Sequence, residues 1–221
     1  MAEELWTVVD DYISEQLVLH DEALQHALEA SAKAHLPPHQ VSPTQGKLLQ
    51  LLALMRGAQN ILEIGTLGGY STIWLARGLG DGGRVVTLES DAGRAEIARA
   101  NIARAGFAKM VDVCVGPARD TLSRLLEEGA GPFDFIFVDA DKVNNDLYLH
   151  WALELSDTGT VIIADNVVRA GDVADEANTD PSVTGTRRFM AALAAEPRVS
   201  ATALQTVGTK GHDGFVLALV V

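Results

Sequence analysis

From Asn60 onward, short β-rich apolar runs alternate with stretches of helical periodicity, and the chain closes on two strand-like runs with no helix between them. No other feature constrains the fold as tightly. The apolar runs fall at 61–64, 84–89, 109–115, 133–139 and 160–165, and the helical stretches at 71–79, 92–105, 118–128 and 145–155. Strands and helices in this order, joined by right-handed crossovers, build a parallel doubly wound sheet with helices on both faces. The tail breaks the rhythm. Runs at 199–207 and 215–221 are separated only by residues 208–214, too few for a crossover helix, so the pair must be an antiparallel hairpin. The expected fold is α/β: a seven-stranded sheet of five parallel strands plus a C-terminal antiparallel hairpin.

A chain of 221 residues suits one well-buried domain of this class. We therefore treat 1–221 as a single domain, with N-terminal helices over 1–58 and the sheet over 59–221. Helices are expected at 3–19, at 21–34 before Pro37-Pro38 stops the second, and at 43–55, where Ser42 caps and Pro43 takes the first position. Residues 170–185, rich in Gly, Asp, Asn and Thr, predict a mobile loop that shapes a pocket, and Arg187-Arg188 a solvated helix start. With 17 basic against 30 acidic residues, the net charge of −13 repels polyanions and disfavours nucleic acid as a partner. Cys114 is alone, which leaves a buried free thiol and no internal disulfide. The acidic start Met1-Ala-Glu-Glu-Leu5 is no secretory signal and no run approaches membrane-spanning length, so the expected location is the cytoplasm, with no membrane partner.

Two of the strand-like runs end in oxygen donors: Asp139 closes one, and Asp165 with Asn166 closes another. In a parallel sheet, neighbouring strands bring their carboxyl ends to one rim, so the three donors converge without help from any loop. Oxygen-only ligation suits a hard divalent cation such as Mg²⁺, or Mn²⁺ or Ca²⁺ in its place. Lys142 follows the first aspartate closely, and beside a cation its amine form becomes more available as a base. That arrangement can deprotonate a hydroxyl. Taken singly, each acid has a plainer role as a helix cap or a ribose contact.

The segment Ile61-Leu-Glu-Ile-Gly65-Thr-Leu-Gly68-Gly69-Tyr-Ser71 runs from a strand into a helix, the setting in which a glycine loop binds a ligand. Gly65 takes the tight turn, and Gly68 and Gly69 let a ligand approach the backbone. The spacing is not that of G-x-G-x-x-G. Glu89, at the end of the next strand, is placed to accept ribose hydroxyls, so a nucleoside-containing cofactor follows. His35 and His39 have helical ligand spacing, but Pro37 and Pro38 keep them off a common helical face. His212 reads as an exposed turn residue, and Trp6, Trp74 and Trp151 as packing.

Taken together, Glu63-Ile-Gly-Thr-Leu-Gly-Gly-Tyr-Ser71, Glu89, Asp139-Ala-Asp-Lys142 and Asp165-Asn166 resemble the cation-dependent O-methyltransferases of the catechol and caffeoyl-CoA type, in their bacterial branch. The likeness covers nearly the whole chain, including Val41-Ser-Pro-Thr-Gln-Gly46 and the closing hairpin. It implies a Rossmann-like class I methyltransferase sheet and S-adenosylmethionine as cofactor. Glu89 would bind the ribose, Glu63, Gly65, Tyr70 and Ser71 would surround the methionine end, Val41 would lend backbone contacts, and Ala118 would lie near the adenine. Asp139 would touch the cofactor and, with Asp165 and Asn166, hold the metal; Lys142 would take the proton. The implied acceptor is a vicinal diol on a small aromatic ring, of catechol, caffeoyl or flavonoid type, and the implied assembly is a homodimer built on the N-terminal helices. Ala140-Asp141 stands where the animal catechol enzymes carry a tryptophan. The alternatives are a tRNA hydroxyuridine methyltransferase and, in another class, a nicotinamide dehydrogenase or a non-catalytic nucleotide-binding module.

Overall fold

The computed structural model describes residues 2–221 and contains a seven-stranded sheet in the order β3-β2-β1-β4-β5-β7-β6. The strands are β1 (Asn60–Ile64), β2 (Arg84–Glu89), β3 (Val111–Val115), β4 (Phe133–Val138), β5 (Ser156–Asp165), β6 (Val199–Gly208) and β7 (Gly211–Val220). The first five are parallel, and β7 pairs antiparallel with both β5 and β6. The helices are α1 (Ala2–Leu17), α2 (Glu22–Lys33), α3 (Pro43–Arg56), α4 (Tyr70–Ala76), α5 (Ala92–Arg104), α6 (Ala118–Glu127), α7 (Asn145–Glu154) and α8 (Pro181–Ala195). Among the described residues, no helix is long and apolar enough to cross a membrane.

Both faces of the sheet are covered, which is why its central strands read as continuous apolar runs rather than alternating ones. In β1, Leu62 and Ile64 enter one core with Leu122, Leu149 and Phe189 from α6, α7 and α8. Ile61 enters the other, with Leu49, Ile73 and Ala98 from α3, α4 and α5. Helix starts follow local chemistry. Ser42 Oγ accepts from the Gln45 N–H at 3.2 Å with Pro43 behind it, and Asp91 and Asp180 cap α5 and α8 in the same way.

Three expectations need correcting. Residues 170–185 are not one loop: two tight turns joined by a kink at Ala170 and Gly171 span Arg169–Ala174, and α8 begins at Pro181 on its Asp180 cap. Arg187 therefore lies inside α8 and is not a solvated start; its guanidinium donates to the carbonyls of Asp172, Val173, Asp175 and Asn178. Arg188 holds Asp146 at 2.9 Å and the Val143 carbonyl at 2.7 Å. The hairpin connection is also shorter than expected, because Val207 pairs with His212 and Gly208 with Gly211. Only Thr209 and Lys210 form the turn, and the ladder carries it out over the carboxyl edge of the sheet.

From β1 the chain passes to β2 on one side, and β4 is added on the other. At such a switch the connections diverge, leaving a crevice outside the carboxyl ends of the strands.

Candidate active site

A cavity of about 1070 Å³ occupies that crevice, ample for a nucleoside cofactor and a small second ligand together. Val41, Gly65, Tyr70, Ser71, Glu89, Ala118, Asp139, Lys142, Asp165 and Asn166 all line it. The structure thus brings ten of the eleven expected site residues to one space.

The exception is Glu63. Its position on β1 turns it under α4, where it is fully buried and forms no part of the cavity wall. Ser71 donates to its Oε1 at 2.6 Å, Thr87 to its Oε2 at 2.6 Å, and Thr72 also donates to Oε2. Burial outweighs these three hydroxyl contacts and, with the nearby Asp139 charge, pushes the Glu63 carboxyl up to about 7. Its path to the cavity runs through Ser71, which it orients.

The glycine loop is held from both ends. Glu89 Oε2 accepts from the Leu67 N–H at 2.9 Å and its Oε1 from the Asp91 N–H at 3.0 Å, so the carboxylate is locked while its remaining lone pairs face the cavity. Gly65 has φ +107°, and a Cβ there would collide with the Asp139 carbonyl oxygen. Only glycine lets the end of β1 close against the end of β4. Gly68 lines the cavity as expected and is also tightly packed, since a Cβ there would meet Ser31 of α2, whereas Gly69 lies outside the wall, where a Cβ would meet Ala98 and Ile102 of α5.

Asp139 follows β4 directly, with its N–H on the Ile64 carbonyl at 2.9 Å, and Asp165 ends β5 alongside. Lys142 opens a short 3₁₀ turn, Lys142–Asn144, and is buried, with Nζ 2.9 Å from Asp139 Oδ1. That is its one acceptor among the described residues, so two of its N–H bonds remain for a ligand. Helix α8 fixes this turn closely enough that a Cβ on Gly185 would strike the Lys142 carbonyl. Burial, then the Asp139 carboxylate, push Asp165 up to about 7. A pair of like charges held this close favours a cation between them. Asn166 adds a third oxygen. Its backbone sits at φ +56°, tolerated by asparagine, and its side-chain amide makes no hydrogen bond within the described residues. No group of three or more His, Cys, Asp or Glu side chains gathers as a metal cluster among the described residues, so the site offers two carboxylates and one amide. That donor set suits a hard cation that keeps several water ligands, as Mg²⁺ does.

Several residues at the cavity carried no signal in the sequence. Asp10 of α1 accepts from Thr209 N–H and Oγ1, both at 3.0 Å, and from Thr44 Oγ1 at 3.1 Å, tying the first helix, the hairpin turn and the start of α3 together. Asp141 accepts from the Tyr148 hydroxyl. Lys210 reaches over the rim to the Pro38 carbonyl at 2.7 Å. His212 is half-buried in β7, on Gln205 at 2.9 Å, and lies outside the cavity wall.

An antiparallel β7 inserted between β5 and β6 separates this sheet from the dinucleotide dehydrogenases and sets it in the methyltransferase class of doubly wound folds. Residues 13–220 match the family model for O-methyltransferases, and the chain belongs to that family. A catechol O-methyltransferase of Niastella koreensis is 53% identical over 220 residues, covering 100% of both chains. An O-methyltransferase from Bacillus cereus, solved in complex with SAH, superposes with a TM-score of 0.98 at 60% identity and 99% coverage of each chain. TomG from Streptomyces achromogenes, an O-methyltransferase involved in tomaymycin synthesis and solved with SAM, gives 0.97 at 51% identity, covering 100% of this chain and 99% of that one.

Proposed function

We propose that the protein transfers the methyl group of S-adenosylmethionine to one hydroxyl of a vicinal diol on a small aromatic acceptor, with a divalent cation held by Asp139, Asp165 and Asn166. One observation carries this: the glycine loop with Glu89, and the paired carboxylates with Lys142, open into a single cavity across the β1–β4 switch. The bound SAH and SAM of the two solved relatives and the catechol activity in the name of the third support it.

The cofactor supplies an electrophilic methyl on a sulfonium, and the cation supplies positive charge that favours a deprotonated acceptor oxygen. The chain's own residues do the rest. Glu89 anchors the ribose end and Ser71, aligned by Glu63, the methionine end, so the donor is held in one orientation. Lys142 Nζ, kept in place by Asp139 and by the close approach of α8, takes the proton of the reacting hydroxyl as the neutral amine, its own ammonium proton having first passed to solvent. Methyl transfer needs that oxygen on the axis of the breaking bond, and rigid placement of both partners supplies much of the acceleration.

The test is transfer of labelled methyl to a catechol in the presence of Mg²⁺, lost on adding excess EDTA and recovered on restoring the metal. Undiminished turnover in EDTA would contradict the metal role; transfer to tRNA but not to any catechol would contradict the acceptor. The proposed assembly is a homodimer through α1, whose Leu5, Val8, Val9, Tyr12 and Ile13 form an exposed apolar stripe at helical spacing. The stripe continues onto the uncharged edge strand β6, which α1 contacts and which exposes Leu204 and Val207. A second copy of the same surface covers both. Light scattering should give twice the chain mass, reduced to one by V8E with Y12E; a wild-type mass of one chain would exclude the dimer.

A further inference from the structure

Arg169 is a charged group at the rim to which the proposed chemistry gives no task. It follows the Asp165-Asn166 pair in sequence, lines the same cavity, and is only partly exposed. Its backbone lies in the left-handed region at φ +56°, followed by Ala170 at +57°. Non-glycine residues adopt this conformation under constraint, and such constraint gathers where a side chain must be aimed. The constraint here is visible on both sides. Asp213 Oδ1 accepts from the N–H groups of Val168 at 3.0 Å and Arg169 at 3.1 Å, and Arg187 clamps the carbonyls of the turn that follows.

The guanidinium so presented has no partner among the described residues. Its Nε is buried without an acceptor, and the group forms no ion pair or hydrogen bond with any described residue. Arg77, Arg188 and Arg198, by contrast, are each paired with a carboxylate. In a chain of 30 acidic and 17 basic residues, an arginine beside a cavity left without an anion is the opposite of what composition favours. Buried donors in native proteins are otherwise almost always satisfied. Lys210, exposed in the hairpin turn, adds another cation to the same wall, its one hydrogen bond among the described residues going to a neutral carbonyl.

We propose that Arg169 binds an anionic substituent of the acceptor, so that the preferred substrates are aromatic diols carrying a carboxylate rather than neutral or cationic catechols. This rests on the methyltransferase function proposed above. A guanidinium presents a planar fork of donors that matches a carboxylate, and inside a cavity such charge-assisted bonds are the strong ones. The metal end fixes the diol and Arg169 the opposite end, so the pair also selects which hydroxyl faces the methyl donor.

The experiment compares 3,4-dihydroxybenzoate, its methyl ester and 4-methylcatechol, by calorimetric binding to the protein loaded with Mg²⁺ and S-adenosylhomocysteine and by initial rates with S-adenosylmethionine. The wild type should favour the acid over the ester and the methylcatechol by about 10- to 100-fold in Kd and in kcat/KM, the range one charged hydrogen-bond pair supplies. R169Q should reduce that ratio by about the same factor, and R169K should restore part of it. Equal handling of acid and ester by the wild type would overturn the proposal without recourse to any variant, as would an unchanged ratio in R169Q with a native melting profile. Equal methylation of all three diols removes the role of Arg169 alone. Methylation of none removes the underlying function, and the proposal with it.

Discussion

Replacing Glu63 by glutamine should change the pH dependence of stability in a calculable way. The carboxyl has an ordinary value of 4.5, and in the folded chain burial raises it to about 7. A raised acid favours folding while it is protonated in both states, below about 4.5. As pH rises through this window the unfolded chain releases the proton and the folded chain retains it, so stability falls until the folded group also ionises near 7. Between about pH 5 and about pH 8 the two titration curves give a loss of about 2 to 3 kcal/mol from this one group. Glu63→Gln cannot ionise and should lack that component, although its amide accepts less well from Ser71, Thr72 and Thr87 and lowers stability at the acid end. Urea denaturation of both proteins across the range, with the difference in unfolding free energy plotted against pH, isolates this contribution because titrations not coupled to Glu63 cancel. The glutamine variant should start the less stable of the two and gain on the wild type by about 2 to 3 kcal/mol. A difference that stays flat with pH would mean Glu63 is ionised throughout, and the account of a proton-bearing carboxyl behind Ser71 would be wrong.

Lys142→Met should lower kcat by about 10²- to 10⁴-fold, the usual worth of a positioned base, while calorimetry shows S-adenosylhomocysteine binding nearly unchanged because Lys142 stands on the acceptor side. Glu89→Gln should weaken S-adenosylhomocysteine by about 10-fold or more, with a smaller effect on acceptor KM. Gly65→Ala should lose cofactor and metal binding together and melt at a lower temperature, since its φ of +107° and the Asp139 carbonyl leave no room for a Cβ; cofactor affinity preserved in that variant would show that the β1 and β4 ends need not touch.

The strands that build the rim were legible because a parallel strand buried on both faces is an apolar run, and the acid that closes the run marks the rim. Asp139, Asp165 and Glu89 could be placed for that reason, and Ser42-Pro43 for the equally local chemistry of a helix start. Helix α8 was missed at its beginning because Ser-Val-Thr-Gly-Thr, 182–186, has the composition of a loop, although Asp180 with Pro181 was a sound start signal. His212, Asp213 and Gly214 read as turn residues and are strand residues, because pairing with Val207, Thr206 and Gln205 decides their conformation. The resemblance implied a cofactor contact for Glu63. Its three hydroxyl partners come from α4 and β2, and nothing along β1 announces them. Arg169 and Asp10 owe their positions to a constrained turn and to contacts distant along the chain, which periodicity and spacing do not encode.

The central claim is that one hard cation sits between the ends of β4 and β5 within the cofactor cavity. Crystals grown with Mn²⁺ and S-adenosylhomocysteine test it directly through the anomalous signal of the metal. One peak is predicted, at about 2.2 Å from oxygens of Asp139, Asp165 and Asn166, with water completing six-fold coordination. A peak elsewhere, or none in crystals of a protein that still methylates catechols, would contradict it.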